Sequence, residues 1–397
     1  MKNKFIIIIT YILIFFNSNL FSNENNNVLK VGLLAPLSGE YKGLGNSLLY
    51  SLQLALDEIN DKNVIIIPED SGYGEEEKLN SAIKNIKSQG AKIIIGPINS
   101  EDFSAVKKFN EIVFISPSNI NPEFQNNIIS IGVSFESQMI SLMNFIKKQK
   151  KNKTVILIPK NQYADLIEKK LKTLNLKKYR IFKYNPDPKI LTGEIEILTN
   201  YSQRKKNLEI RKKIFEDKDD EKSKRELDKL EQKYTIGDVN FDSVIIVDFG
   251  SSLKSVLTSL VFTDVDQEKV LFTTVNQWFD KSIFYENTVK SLYYPSVNYK
   301  EFKKYNDNYY EIFKSYPTEI AILAYDAIGL IYYIWKKNGT INSVNDFLLK
   351  DKIKGKIGTF SFSNKKTTQD LSIYKAEKKQ IYKILIFFFN LLNATYL

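Results

Sequence analysis

Apolar and polar positions come in blocks along this chain: short apolar runs separated by longer amphipathic stretches. Val31-Gly-Leu-Leu-Ala35 is the first run, closed by the turn residues of Pro36 to Gly45, and predicts a buried strand. Residues 46–60 then place Leu48, Leu49, Leu52, Ala55, Leu56 and Ile59 on one helical face. Val64 to Ile67 predicts a second strand. An acidic loop, Pro68 to Gly74, follows it. A helix over 75–89 comes next, with Leu79, Ala82, Ile83 and Ile86 inward and Gly90 ending it. Ile93 to Ile95 and Ile112 to Ile115 predict two more buried strands, with a short helix over 102–110 between them. Runs that are apolar on both faces and joined by helices predict a parallel sheet covered on both sides. In such sheets ligands sit beyond the carboxyl ends of the strands. Ser38 and Tyr41, Asn99 and Ser100, and Ser116 and Ser118 follow three of those ends.

The alternation resumes after Ile131-Gly-Val-Ser134. It predicts a helix over 136–149 and a strand over 154–158, with Tyr163 in the loop that follows. Further strands are expected over 179–184, 243–247 and 269–273. Asp248 closes the second of these, ahead of a helix over 253–262, and Asn276 and Trp278 follow the third. Two helices over 299–315 and 319–336 return the chain towards the first sheet. Between Thr192 and Asp238 the pattern changes to dense charge, with Leu198, Tyr201 and Leu208, then Leu227, Leu230 and Tyr234, at near-helical spacing. The polar run Glu216 to Lys224 interrupts them, so the segment predicts a projecting helical hairpin. Its alternative is a charged arm with no partner.

At the start, Lys2 and Lys4 precede an apolar run from Phe5 to Phe16, then Ser18, Leu20 and Ser22. This has the layout of a cleavable leader ending at Ser22, and the run is shorter than the ~20 residues of a spanning helix; an uncleaved anchor is the competing reading. At the other end, Ile384 to Phe389 with Leu391 and Leu392 form an apolar tail too short to span a bilayer. It could pack on a lobe, bind membrane or be a poorly selected extension.

Composition narrows the chemistry. The 397 residues include no cysteine and no histidine, which excludes disulfides, a lipidated cysteine, Ser–His–Asp triads and histidine-ligated zinc. A Ser-x-x-Lys spacing occurs at Ser251/Lys254, Ser81/Lys84, Ser104/Lys107 and Ser202/Lys205. A pattern this common in a Lys-rich chain carries no catalytic signal, and its companion motifs are missing. No catalytic residue, metal site or cofactor is therefore expected. The formal charge of +11 is spread among acidic residues, which fits diffuse attraction to anionic envelope components and not a nucleic-acid groove.

The stretches GLLAPLSGEY, KIIIGPINSE and VFISPSN resemble three successive strand ends of type 1 periplasmic binding proteins, the leucine/isoleucine/valine-receptor group. YPTEIAILAYDAIGLIYYI resembles the late "AYDA" helix of that group, and Gly355 to Phe362 its terminal segment. The resemblance implies an α/β fold of two doubly wound, Rossmann-like lobes around a central cleft. Lobe 1 is expected over 28–135 and 281–340, and lobe 2 over 136–280 and 341–383 with a helical arm inserted at 193–238. Residues 1–22 are the leader and 384–397 the tail. Crossovers between the lobes are expected near 131–136, 278–298 and 336–345. The ligand-binding set implied is Ser38, Tyr41, Asn99, Ser100, Ser116, Ser118, Tyr163, Asp248 and Trp278. In an amino-acid receptor the serines would take the carboxylate and Asp248 the ammonium. The charged arm, with LTNYSQRK and LFTTVNQW nearby, resembles the penicillin-binding-protein activators, although their lipidated cysteine and helical-repeat domain are absent here. Two functions compete on this reading. One is a periplasmic, non-lipidated regulator of peptidoglycan synthesis whose partner is a class A penicillin-binding protein. The other is an amino-acid-binding protein that serves the membrane subunits of an ABC importer.

Overall fold

A computed structural model describes residues 28–119, 127–176, 178–280, 282, 290–363 and 366–384. The expected leader, and all of the expected apolar tail beyond Ile384, lie outside the described residues. Among the described residues no helix is long and apolar enough to cross a membrane.

The first lobe is built from β1 (Leu29–Ala35), α1 (Lys42–Ile59), β2 (Val64–Asp70), α2 (Glu76–Ser88), β3 (Ile93–Ile95), α3 (Phe103–Val106), β4 (Val113–Ser116) and β5 (Ile128–Ser130). Its five described strands are parallel, in the order β2-β1-β3-β4-β5. β3 is buried at every residue, as a strand covered on both faces must be. Leu34, Ile67, Leu79, Ile83, Ile86 and Ile94 pack on one side of the sheet. Val31, Leu33, Leu48, Leu52 and Ile95 join the main core on the other.

The second lobe follows from α4 (Phe135–Lys148), capped by the Ser134 hydroxyl, which accepts from the Ser137 N–H at 3.2 Å. Then come β6 (Thr154–Pro159), α5 (Ala164–Thr173), β7 (Tyr179–Tyr184), α6 (Pro188–Thr199), α7 (Tyr201–Glu216), α8 (Glu221–Glu231), β8 (Ser243–Ile246), α9 (Gly250–Phe262), β9 (Leu271–Thr274) and β10 (Leu292–Ser296). α10 (Tyr299–Phe313) and α11 (Ala321–Asn338) return to lobe 1 and pack on α1. There the Tyr305 hydroxyl meets Ser51, and Tyr332 donates to Asp61 at 3.0 Å. β11 (Ile353–Lys354), β12 (Thr359–Ser363), β13 (Lys366–Asp370), β14 (Ser372–Glu377) and β15 (Gln380–Lys383) complete the described chain. The second sheet runs β15-β14-β10-β9-β8-β6-β7, with every strand in one direction except β14, which is antiparallel to both of its neighbours.

Sheet membership differs from the expected lobe boundaries at two places. β10 was expected in the stretch 281–340 of lobe 1, yet it pairs with β9 and β14 in the second sheet. The chain therefore crosses back between Ser296 and Tyr299. β11, β12 and β13 form a separate three-stranded antiparallel sheet, and residues 356–357 still bond to α11, so the third crossing lies beyond the expected 336–345. That crossing is latched to α11. Asp326, buried on α11, accepts the N–H groups of Lys356 at 2.7 Å and Ile357 at 3.1 Å. Position 355 must be glycine for this, because a Cβ there would lie 2.5 Å from an Asp326 carboxylate oxygen. Burial raises the Asp326 pKa to about 6, against the two backbone bonds that lower it.

Candidate functional site

The carboxyl ends of the lobe 1 strands carry the expected polar residues, and Asp70 at the end of β2 organises the first group. It accepts from Leu37 N–H at 2.9 Å, Gly72 N–H at 3.1 Å and the Ser38 hydroxyl, and it pairs with Lys78 at 2.8 Å. Burial alone would raise its pKa, but these bonds hold it well below the carboxylate range. Sequence reading placed Ser38 at this point and missed Asp70. The available signal was the acidic pair Glu69-Asp70 closing an apolar run. Tyr41 is exposed and stacks on Tyr73, with ring centroids 4.0 Å apart. Burial, then the neighbouring Tyr41 and Tyr163, raise the Tyr73 pKa; Tyr163 is exposed just before α5.

Asn99 caps a turn by accepting the Glu101 N–H at 3.1 Å, and Ser100 opens that turn. Within it Asp102 is buried, and burial with the adjacent Glu101 raises its pKa to about 6. Ser116 is fully buried. Its hydroxyl donates to the Pro97 carbonyl at 2.6 Å and accepts the Ser118 N–H at 3.1 Å. The Asp248 carboxylate accepts from the hydroxyls of Tyr184 and Ser252, and from Phe249 N–H at 2.8 Å. These bonds fix the start of α9. Trp278 sits in the left-handed region, φ 47°, and packs against Phe302 at 5.9 Å.

Between the lobes lies a cavity of about 170 Å³. Lobe 1 contributes Ile98, Pro117, Ser118, Asn119, Val133, Ile320 and Leu323; lobe 2 contributes Gln138, Phe249, Asn276 and Trp278. Of the nine expected binding residues, Ser118 and Trp278 line it. No ionisable side chain among the described residues does. Its floor is stitched across the first crossover. Gln138 donates to the Val133 carbonyl at 2.8 Å and accepts the Asn276 N–H at 2.9 Å. Asn276 in turn accepts the Ser296 hydroxyl at 2.7 Å. A polar residue on the buried face of α4 was the available signal for Gln138.

The expected hairpin is α7 and α8, which pack on each other beside α6. Its base is held by Arg204, only 7% exposed. The guanidinium donates to the carbonyls of Gly237 at 2.8 Å, Thr263 at 3.0 Å and Asp264 at 2.7 Å, and to the Thr235 hydroxyl at 2.8 Å. Such a planar fork of five fixed donors spans four spread acceptors at once, which the three donors of a lysine's single nitrogen cannot.

Parallel sheets in two lobes, a chain that crosses between them three times and a cleft at the strand ends define the type 1 periplasmic binding protein fold. Residues 28–170 match the sequence profile of the periplasmic binding protein family. Over 144 residues the chain is 24% identical to the Leu/Ile/Val-binding protein BraC3 of Rhizobium johnstonii; the match covers 33% of this chain and 39% of that protein. Two solved structures share the fold over 90% of this chain and the whole of theirs. The isoleucine complex of the branched-chain amino acid transporter substrate-binding protein LivJ from Streptococcus pneumoniae is 18% identical, with a TM-score of 0.54. The C-domain of LpoA from Haemophilus influenzae, a regulator of PBP1A, is 12% identical, with a TM-score of 0.58.

Proposed function

We propose that this protein is a non-catalytic regulator of peptidoglycan synthesis, exported to the periplasm, that contacts a class A penicillin-binding protein through its helical arm. The observation that carries this reading is the cleft. Its cavity, about 170 Å³, is smaller than the roughly 300–1,000 Å³ of ordinary small-molecule sites. Its described lining offers no charge to an amino acid's ammonium or carboxylate, and buried charges without partners are costly. Asp248, the acid nominated for the ammonium, already accepts three bonds from its own lobe. The fold then serves as a scaffold, and the arm anchored by Arg204 is the element left over for a partner. Likeness to the LpoA C-domain supports the same assignment.

The likeness to BraC3 favours a second reading, an amino-acid receptor for an ABC importer. In that case Ser100, Ser116 and Ser118 hold a carboxylate and Asp248 turns to an ammonium. One experiment separates the two. The rate of glycan-strand cross-linking by the class A penicillin-binding protein of the same cell is measured with the mature wild-type protein and with a variant lacking residues 205–232, bridged by a Gly/Ser linker. Arg204 and its carbonyl partners stay in that variant, so its melting transition should remain cooperative. The expected result is stimulation by wild type and none by the variant. Equal stimulation removes the arm from the contact. Absence of stimulation by wild type, together with amino-acid binding, establishes the receptor reading instead.

A further inference from the structure

The two helices of the arm differ in how their charges are used. On α8 they are matched close by: Arg225 with Glu221 at 3.5 Å, Lys229 with Glu226 at 2.6 Å, and Lys224 with Asp219 of the preceding turn at 2.7 Å. α7 carries six basic residues against two acidic ones, and among the described residues Lys206 and Lys213 make no ion pair. At about 100° per residue, Arg204 and Leu208 point α7 into the protein, while Lys206, Ile210 and Lys213 fall on the opposite side, with Glu209 and Ile214 on its two flanks. Lys206 and Lys213 are exposed. Ile210 is 49% and Ile214 44% exposed, one turn apart and bordered by the unpaired ammonium groups.

We propose that this outward face of α7 docks an acidic amphipathic helix of another protein. Apolar side chains of the partner seat against Ile210 and Ile214, and its carboxylates face Lys206 and Lys213. Charge complementarity selects an acidic partner, and apolar residues three or four apart on a helix would match the isoleucine pair. A lipid surface fits less well: two isoleucines without an aromatic give too little apolar area for interfacial insertion. Two copies of the face would repel each other. The inference deepens the proposed role of the arm and rests on the arm being a contact element.

The test is photo-crosslinking in the protein's own cells. p-Benzoylphenylalanine replaces Ile210, or Ile65, an exposed lobe 1 residue, as control. The adduct is mapped by mass spectrometry in the wild-type background, in K206E/K213E and in K222E, an exposed charge change on α8. Melting temperatures confirm that the variants fold. The expected result is a protein adduct from position 210 and none from 65. It should be joined at a segment rich in Asp and Glu, reduced at least about tenfold in K206E/K213E by loss of charge complementarity, and unchanged in K222E. The proposal is overturned by a lipid adduct, an adduct with a second copy of this chain, a partner segment without an acidic cluster, an undiminished yield in K206E/K213E, or no adduct at all. A mapped acidic partner that is not a penicillin-binding protein leaves the surface assignment standing and removes the peptidoglycan reading. Stimulation of the synthase without any adduct from 210 does the reverse.

Discussion

Single buried polar residues hold this molecule's loops in place. Arg204 satisfies three backbone carbonyls and a hydroxyl from a site that water hardly reaches. Truncation strands those acceptors, so Arg204→Ala should cost about 2–4 kcal/mol in urea unfolding, and Arg204→Lys should recover little of it. A loss below about 1 kcal/mol would mean water replaces the guanidinium without penalty. Asp326 makes a pH prediction. Its folded-state pKa of about 6 lies above the ordinary 3.8, so the folded protein holds the proton more tightly than the unfolded chain does. The favourable contribution is complete below about pH 4 and is lost as pH rises through 6. The stability advantage of wild type over Asp326→Asn should thus shrink by on the order of 2–3 kcal/mol between pH 4 and 7. Asp102, also raised to about 6, titrates in both proteins and cancels in that difference. A constant difference across the range would rule out Asp326 as the source.

Elements were legible where both of their faces are buried. Ile93-Ile-Ile95 and Thr154 to Ile158 read directly as strands because an apolar run has one stable environment, the middle of a covered sheet. The hairpin was legible from its periodicity and from the polar break at 216–224, where α7 ends and α8 begins. β10 was missed because Pro295 argues against a strand; it is accommodated because pairing with β9 is limited to Tyr293 and Thr273. β13 reads Lys-Thr-Thr-Gln-Asp, without an apolar position, and is a strand through its ladder with β12. The first crossover shows how tightly such connections are built. A Cβ on Gly132 would sit 2.0 Å from the Ser118 carbonyl oxygen, so Gly132→Ala should destabilise by about 2–3 kcal/mol through forced backbone movement. Calorimetry of the variant should show a lower melting temperature for the whole transition. An unchanged melting temperature would show that this crossover yields freely.

At the scale of the whole molecule, the small cavity and the stitched floor at Gln138, Asn276 and Ser296 bear on what the cleft can admit. A ligand at about 100 times its Kd would add ~2.7 kcal/mol of stability, a shift easily seen in a thermal melt. Leucine, isoleucine, valine and the other common amino acids at millimolar concentration should produce none. A reproducible upward shift with any of them, removed by Asp248→Asn, would transfer the protein to the receptor reading.

The alternation of most strands and helices, the hairpin and the polar strand ends were written locally, in apolar runs, turn residues and periodicity that the chain must satisfy element by element, and the two-lobe plan was implied by resemblance of those strand ends to a known family. Tertiary structure alone decided which sheet receives β10, where the third crossover is latched by Asp326, and which polar strand ends face open space. Ser116 and Asp248 carry the right chemistry for a ligand, yet each is bonded to its own lobe. A side chain's type is set by the sequence. Whether its hydrogen bonds are already spent depends on residues brought together from distant parts of the chain.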